Sequence, residues 1–131
     1  MTSEFVHLHN HSDYSLLDGA QRIDQLVNTI DDLNMDAVAL TEHGNMFSVL
    51  PYYKQAKKAG IKPIIGCEIY VAVGSRFEKK TRSDGGWGNN HLILLAQNFT
   101  GYKNLMKLVT AGYLEGFYYR PRIDMDLLRE Y

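Results

Sequence analysis

The order of its apolar segments predicts an α/β domain. Two runs of strand length, AVALT at 37–41 and the β-branched KPIIGCEIYVAV at 62–73, alternate with segments whose apolar residues recur at helical spacing. That alternation argues for parallel neighbouring strands joined by right-handed crossovers. A further strand-like run, HLILLAQ at 91–97, follows a glycine-rich stretch rather than a helix, which leaves a hairpin open to the last two strands.

The elements follow in chain order. FVHLH (5–9) reads as a short strand. Ile23, Leu26, Val27, Ile30 and Leu33 set a helical period over 22–34. A second helix is expected from about Phe47 to Ala59, with Pro51 in its first turn, where a missing N–H costs little, and Gly60 as its C-terminal cap. SRFEKKTRSDGGWGNN (75–90) is polar and shows no core pattern. Tyr102, Leu105, Met106, Val109 and Tyr113 share one face of a helix over 101–116, and Asp124 caps a last helix. The expected order is β-α-β-α-β-β-α-α. No repeat, low-complexity segment or linker divides the chain, so residues 1–131 are read as one domain.

With 131 residues, a net charge of -1 and 45% hydrophobic residues, the chain can bury a substantial core as a soluble globular domain. No apolar run approaches the ~20 residues of a membrane span, and MTSEFVHLHNHS lacks the pattern of a secretory signal. Cys67 is the single cysteine, which rules out an internal disulfide and, with no signal, points to the reducing cytoplasm. The near-neutral charge argues against a generally basic nucleic-acid surface. Lys54, Lys57, Lys58 and Lys62, and then Arg76, Lys79, Lys80 and Arg82, read as a solvated helix face and a loop. Trp87, the single tryptophan, is a weak candidate for a partner contact.

HLHNHS (7–12) concentrates three of five histidines. In an extended strand His7, His9 and His11 project from one face. Each imidazole has two nitrogens to satisfy, and stacking three together leaves unpaired groups unless an ion or polar partner intervenes. Metal binding is the favoured reading; a structural polar cluster and a surface accident are the alternatives. His43 in LTEHGN and Asp18 in LLDG lie, like His9 and His11, at or after strand ends, which gather on one face of a parallel sheet. Glu68 in GCEIY joins them if its strand ends near residue 68, and a carboxylate in an apolar strand needs a cation or donors. His91 reaches that face only if its strand runs antiparallel to the third. Each has a bland alternative: Asp18 and His43 both precede glycines and suit ordinary turns. Cys67 alternates to the face opposite Glu68 and reads as packing.

HxH with a following serine, LLDGA, LTEHGNM, KPIIGCEIYVAVGSRF, NHLILLAQN, GYKNLMKLV and YLEGFYYRPRID together resemble the PHP (polymerase and histidinol phosphatase) family. The branch they are most similar to forms the N-terminal part of bacterial replicative DNA polymerases. The resemblance runs from about residue 5 to the chain end. It implies the N-terminal half of a distorted (β/α)7 TIM-like barrel with up to three metal ions (Zn, Mn or Fe) at the strands' C-terminal ends. Carried over by position, the metal ligands are His9, His11, Asp18, His43, Glu68 and His91. His7 and Glu42 are expected just outside them, orienting ligands. The family usually has aspartate where this chain has Glu42, and the extra methylene bears on how His43 is held. Later ligands of the family, a cysteine and an Asp-x-His pair, are expected beyond residue 131, so the domain is read as incomplete.

The implied chemistry is hydrolysis of a phosphoester by water activated at clustered metals, as 3′–5′ exonucleolytic proofreading or as hydrolysis of pyrophosphate. No serine, cysteine or lysine nucleophile is indicated. Arg76, Arg120 and Arg122 are candidate phosphate contacts, with loop-pinning as their ordinary alternative. The implied partners are the remainder of the polymerase chain, DNA, a proofreading subunit and, through an exposed sheet edge, a second copy; no membrane is implied. An inactive structural or interaction module is the competing reading. A stand-alone phosphatase of the histidinol-phosphatase type is disfavoured by YLEGFYYRPRID and GIKPIIGCE. The polymerase catalytic carboxylates are not expected within this chain.

Overall fold

The structure, a computed structural model, describes residues 5–16, 18–79 and 89–131. Trp87, Lys80, Arg82 and most of the glycine-rich stretch lie outside the described residues, as does Leu17. The elements are α1 (Ile23–Asp32), β1 (Ala37–Leu40), α2 (Val49–Lys58), β2 (Lys62–Ala72), β3 (Asn89–Leu95), α3 (Phe99–Leu114), β4 (Arg122–Ile123) and α4 (Met125–Glu130). Among the described residues no helix is long and apolar enough to cross a membrane.

β2 is the centre of the sheet. It pairs parallel with β1, from Ala37↔Lys62 to Leu40↔Ile65. It pairs antiparallel with β3, from Gly66↔Leu95 to Ala72↔Asn89, which realises the hairpin. β4, which has too few residues to show a periodicity, pairs parallel with β2 at Tyr70 and Val71. The fold is therefore mixed α/β.

Two apolar clusters hold these layers. α1 and α2 pack Ile23, Leu26, Val27, Ile30, Tyr52 and Ala56 against Val38 and Leu40 of β1. On the other side, Cys67, Ile69 and Val71 of β2 meet Leu105 and Leu108 of α3, Ile123 of β4 and Leu127 of α4. Strand alternation then sends Glu68 and Tyr70 to the opposite face of β2. Gly60, at φ +79, follows α2 as expected. Asp124 caps α4 by accepting from Leu127 N–H at 3.0 Å.

The expected strand over 5–9 is a correction. The segment runs beside β1, but its only regular pairing is a bridge from His7 to Val38. His7 C=O accepts from Ala39 N–H at 2.8 Å and Asn10 C=O from Thr41 N–H at 2.9 Å. Side chains take the remaining bonds: the Asn10 amide donates to Ala39 C=O at 3.0 Å, and Thr41 Oγ1 accepts from Asn10 N–H at 3.1 Å. Side-chain bonding of this kind replaces a regular ladder.

Candidate metal centre

Glu68 is 3% exposed and lies at the middle of the site. Its strand does not end near residue 68, the condition the sequence reading set for Glu68 to join the site; β2 runs to Ala72 and outruns β1. The β1 register simply continues past Leu40↔Ile65 to a bridge of His43 with Glu68. The turn after β1 is thereby level with the Glu68 carboxylate. From the other flank, His91 sits opposite Tyr70, one diagonal step from Glu68 on the same face.

Both carboxylate oxygens are shared. Oε2 lies 2.6 Å from His9 Nε2 and 3.1 Å from His11 Nε2, and those two nitrogens are 3.1 Å apart. Oε1 contacts His91 Nδ1 and lies 3.4 Å from His43 Nδ1. His11 and His43 stack with centroids 3.9 Å apart. His43 Nε2 meets Asp18 Oδ2 at 2.8 Å. All six predicted ligands thus come together, with Asp18 attached through His43 rather than at Glu68. His7 does not join them: it is exposed and its ring meets Phe5 edge-on at 4.8 Å.

Two observations show that this donor set suits a divalent cation. The Nδ1 atoms of His11 and His43 are buried without a hydrogen-bond partner, and for His43 this holds although Glu68 is near. Ligand-type atoms face one another in two groups, His9–His11–Glu68 and His43–Glu68–His91, each with atoms within 4.8 Å. Lone pairs crowded in this way gain a common partner in a cation, and imidazole with carboxylate suits Zn, Mn and Fe. Burial first, and then the neighbouring His43, push the His11 pKa below its ordinary value, which favours the neutral imidazole a ligand requires. Cys67 faces away; its burial pushes the thiol up to about 12.

Glu42 does not reach toward the histidines. Its buried carboxylate accepts from Ser12 Oγ, Ser15 Oγ and Ser12 N–H, the last at 3.2 Å. Ser15 Oγ in turn accepts from His43 N–H at 3.0 Å. Glu42 therefore ties the HLHNHS segment, the loop toward Asp18 and the turn bearing His43 to one anchor. The link between Glu42 and the hold on His43 runs through Ser15.

The three arginines separate. Arg76 donates to Asp124 and, at 2.7 Å, to Glu115. Arg122, 2% exposed, donates to the carbonyls of Gly116, Arg76 and Glu78. Both pin loops. Arg120 alone of the three lines the cavity beside Asp18, His43 and His91.

Residues 7–131 match the profile of the family described as "PHP domain". The chain belongs to the PHP domain family. DNA polymerase III subunit alpha of Borreliella burgdorferi is 59% identical over 129 residues, covering 98% of this chain and 11% of that protein. The subunit of the same name from Aquifex aeolicus is 50% identical over 135 residues, covering 100% of this chain and 12% of that protein. This PHP domain thus spans about a tenth of the length of the relatives it matches. An amidohydrolase from Chromobacterium violaceum, solved with bound sulfate and no metal, shares the fold: TM-score 0.53, 21% identity, covering 81% of this chain and 34% of that one.

Sequence reasoning missed Ser12, Ser15 and Tyr70 at the PHP site. Ser12 stands out only as the serine that follows HxH, with no role assigned, and Ser15 carries no special pattern. Tyr70 alternates with Glu68, and that spacing was the available signal for it.

Proposed function

We propose that the chain forms the metal-binding part of a phosphoester-hydrolysing site within a bacterial replicative DNA polymerase of the DNA polymerase III alpha type. The observation that carries this is the sharing of one buried carboxylate, Glu68, among four histidines from three separate segments. His9, His11, Glu68, His43 and His91 would hold two or three divalent cations (Zn, Mn or Fe), with Asp18 beside His43. Such cations supply Lewis-acid activation of a phosphoryl group and of water. The chain's own contribution is to hold the imidazoles in place: Glu42 orients His43 through Ser15, and β2 and β3 fix Glu68 against His91.

Similarity to the polymerase subunits supports a cytoplasmic role in DNA replication, with 3′–5′ exonuclease or pyrophosphate hydrolysis as the reaction. The implied partners are the remaining polymerase chain, DNA and a proofreading subunit. Mixed parallel and antiparallel pairing around one long strand is compatible with the first half of a distorted seven-stranded barrel. A homodimer of this piece through the β3 edge is a further expectation.

The test is elemental analysis of the purified protein beside a His9→Ala/His11→Ala variant. Stoichiometric Zn, Mn or Fe that disappears in the variant is the expected result; no metal in either would overturn the proposal. One observation favours the second reading, a docking module that hydrolyses nothing. An apolar groove between α2 and α3 exposes Leu50 and Phe99, and the rest of the polymerase chain could cover it. Turnover of a phosphodiester probe by metal-loaded protein separates the two.

A further inference from the structure

Next to the histidine cluster lies a cavity of about 330 Å³, with Asp18, His43, Tyr70, His91 and Arg120 in its wall. Among the described residues no carboxylate pairs with Arg120, whereas Arg76 and Arg122 are both engaged elsewhere. The Arg120 guanidinium instead lies over the Tyr70 ring, 5.5 Å from its centroid, within the range of a cation–π contact. Its backbone is fixed on both sides. Tyr118 N–H donates to Arg120 C=O at 3.1 Å. Pro121 packs on Gly44, where an added Cβ would stand 2.7 Å from Pro121 Cγ and 3.1 Å from the Tyr70 ring. The turn that carries His43 and the segment that carries Arg120 are thus held in register through Tyr70.

The charge on this wall is uneven. Asp18 and Glu68 place carboxylates at the cluster, and these repel an anionic ligand unless a cation faces it. We infer that Arg120 is the oxyanion-binding residue of the site, gripping the phosphoryl group of the substrate beside the histidine cluster, with Tyr70 as the platform that positions it. A guanidinium fork matches two phosphoryl oxygens at once, which a lysine cannot do. The inference deepens the proposed function and rests on it for the nature of the substrate.

The experiment is calorimetric titration of inorganic phosphate, and separately of thymidine 5′-monophosphate, into wild type, Arg120→Ala and Arg120→Lys, with metal content measured in each. Arg120→Ala should weaken phosphate roughly tenfold or more at unchanged metal content, and Arg120→Lys should recover part of that loss. Thymidine 5′-monophosphate binding more tightly than phosphate would support a nucleotide end as the source of the phosphoryl group; equal binding would support free phosphate, with Arg120 still the grip. Wild-type affinity in Arg120→Ala would overturn the inference, as would absence of phosphate binding in wild type or loss of metal in Arg120→Ala. Wild type without metal would instead overturn the proposed function, while the phosphate comparison would still decide the role of Arg120.

Discussion

Replacing Glu42 tests whether the site is built from beneath. The carboxylate is 1% exposed and accepts from three donors, the hydroxyls of Ser12 and Ser15 and the Ser12 N–H. Glu42→Ala strands all three in the interior. A stranded buried donor costs about 1–3 kcal/mol. The hydroxyls can rotate and water can enter the vacated space, so the lower end applies to each, and the sum is about 3–5 kcal/mol. Against a typical total of about 5–15 kcal/mol, that is a large share. Glu42→Gln keeps the volume and one carbonyl oxygen but loses the charge, and should cost about 1–2 kcal/mol.

The assay is urea unfolding with chelator present, so that metal binding to the native state does not enter the comparison. The expected order of midpoints is wild type, then Gln, then Ala, with similar slopes. A Glu42→Ala midpoint equal to wild type would refute the anchoring role. A Gln variant as damaged as Ala would show that charge, not the set of hydrogen bonds, is what Glu42 contributes.

Three further outcomes are expected. Burial alone would push Asp124 up, but the N–H groups of Arg76 and Leu127 and the Arg76 guanidinium outweigh it and hold the carboxyl below its usual range. The stabilisation is therefore complete above the unfolded value of about 3.9 and is lost as pH falls through the lower folded value; Asp124→Asn should be less stable at pH 7, with the gap closing in acid, and a pH-independent gap would count against this. Cys67, buried with its thiol pushed up to about 12, should resist iodoacetamide at pH 8 in the native protein and react in urea; rapid native labelling would contradict its burial. Gly44 has φ +61 and no room for a Cβ beside Pro121, so Gly44→Ala should cost about 2–4 kcal/mol by thermal or urea unfolding; a neutral substitution would mean that the Pro121 segment is free to move.

The parts of the fold that could be read in advance are those where burial follows a period. Ile23, Leu26, Val27 and Ile30 are all buried on α1, as their spacing requires. In HLHNHS, His9 and His11 lie side by side with their Nε2 atoms 3.1 Å apart, because residues two apart share a face while the chain stays extended. His7 escaped because the same alternation places a residue on a side without fixing what it meets, and Phe5 was at hand. Glu68 was legible as a carboxylate within an apolar strand over 62–73, but the point where β1 stops beside it was not, since β2 is buried continuously from Gly66 to Ala72 and gives no sign of where its neighbour ends. The three arginines look alike in sequence. What separates them is whether a carboxylate or carbonyl from a distant segment, such as Asp124 for Arg76, comes within reach.

The position of Glu68 is enforced by the apolar residues around it. Cys67, Ile69 and Val71 bury against α3, β4 and α4, and they alternate with Glu68 and Tyr70. A one-residue slip of β2 against β1 and β3 would turn Glu68 into that apolar cluster and set Cys67 and Ile69 among the histidines. The slip is costly twice over. It buries a carboxylate without partners and exposes the side chains that fasten the sheet to the helices. Gly66 adds a steric lock at the point where β2 passes from β1 to β3, since a Cβ there would meet Leu94 C=O at 2.7 Å and Thr41 Cγ2 at 2.8 Å. The register that makes the core is therefore the register that makes the site. A variant that loosens the packing of Ile69 should lose metal affinity without touching a ligand, and it should do so in proportion to its loss of stability.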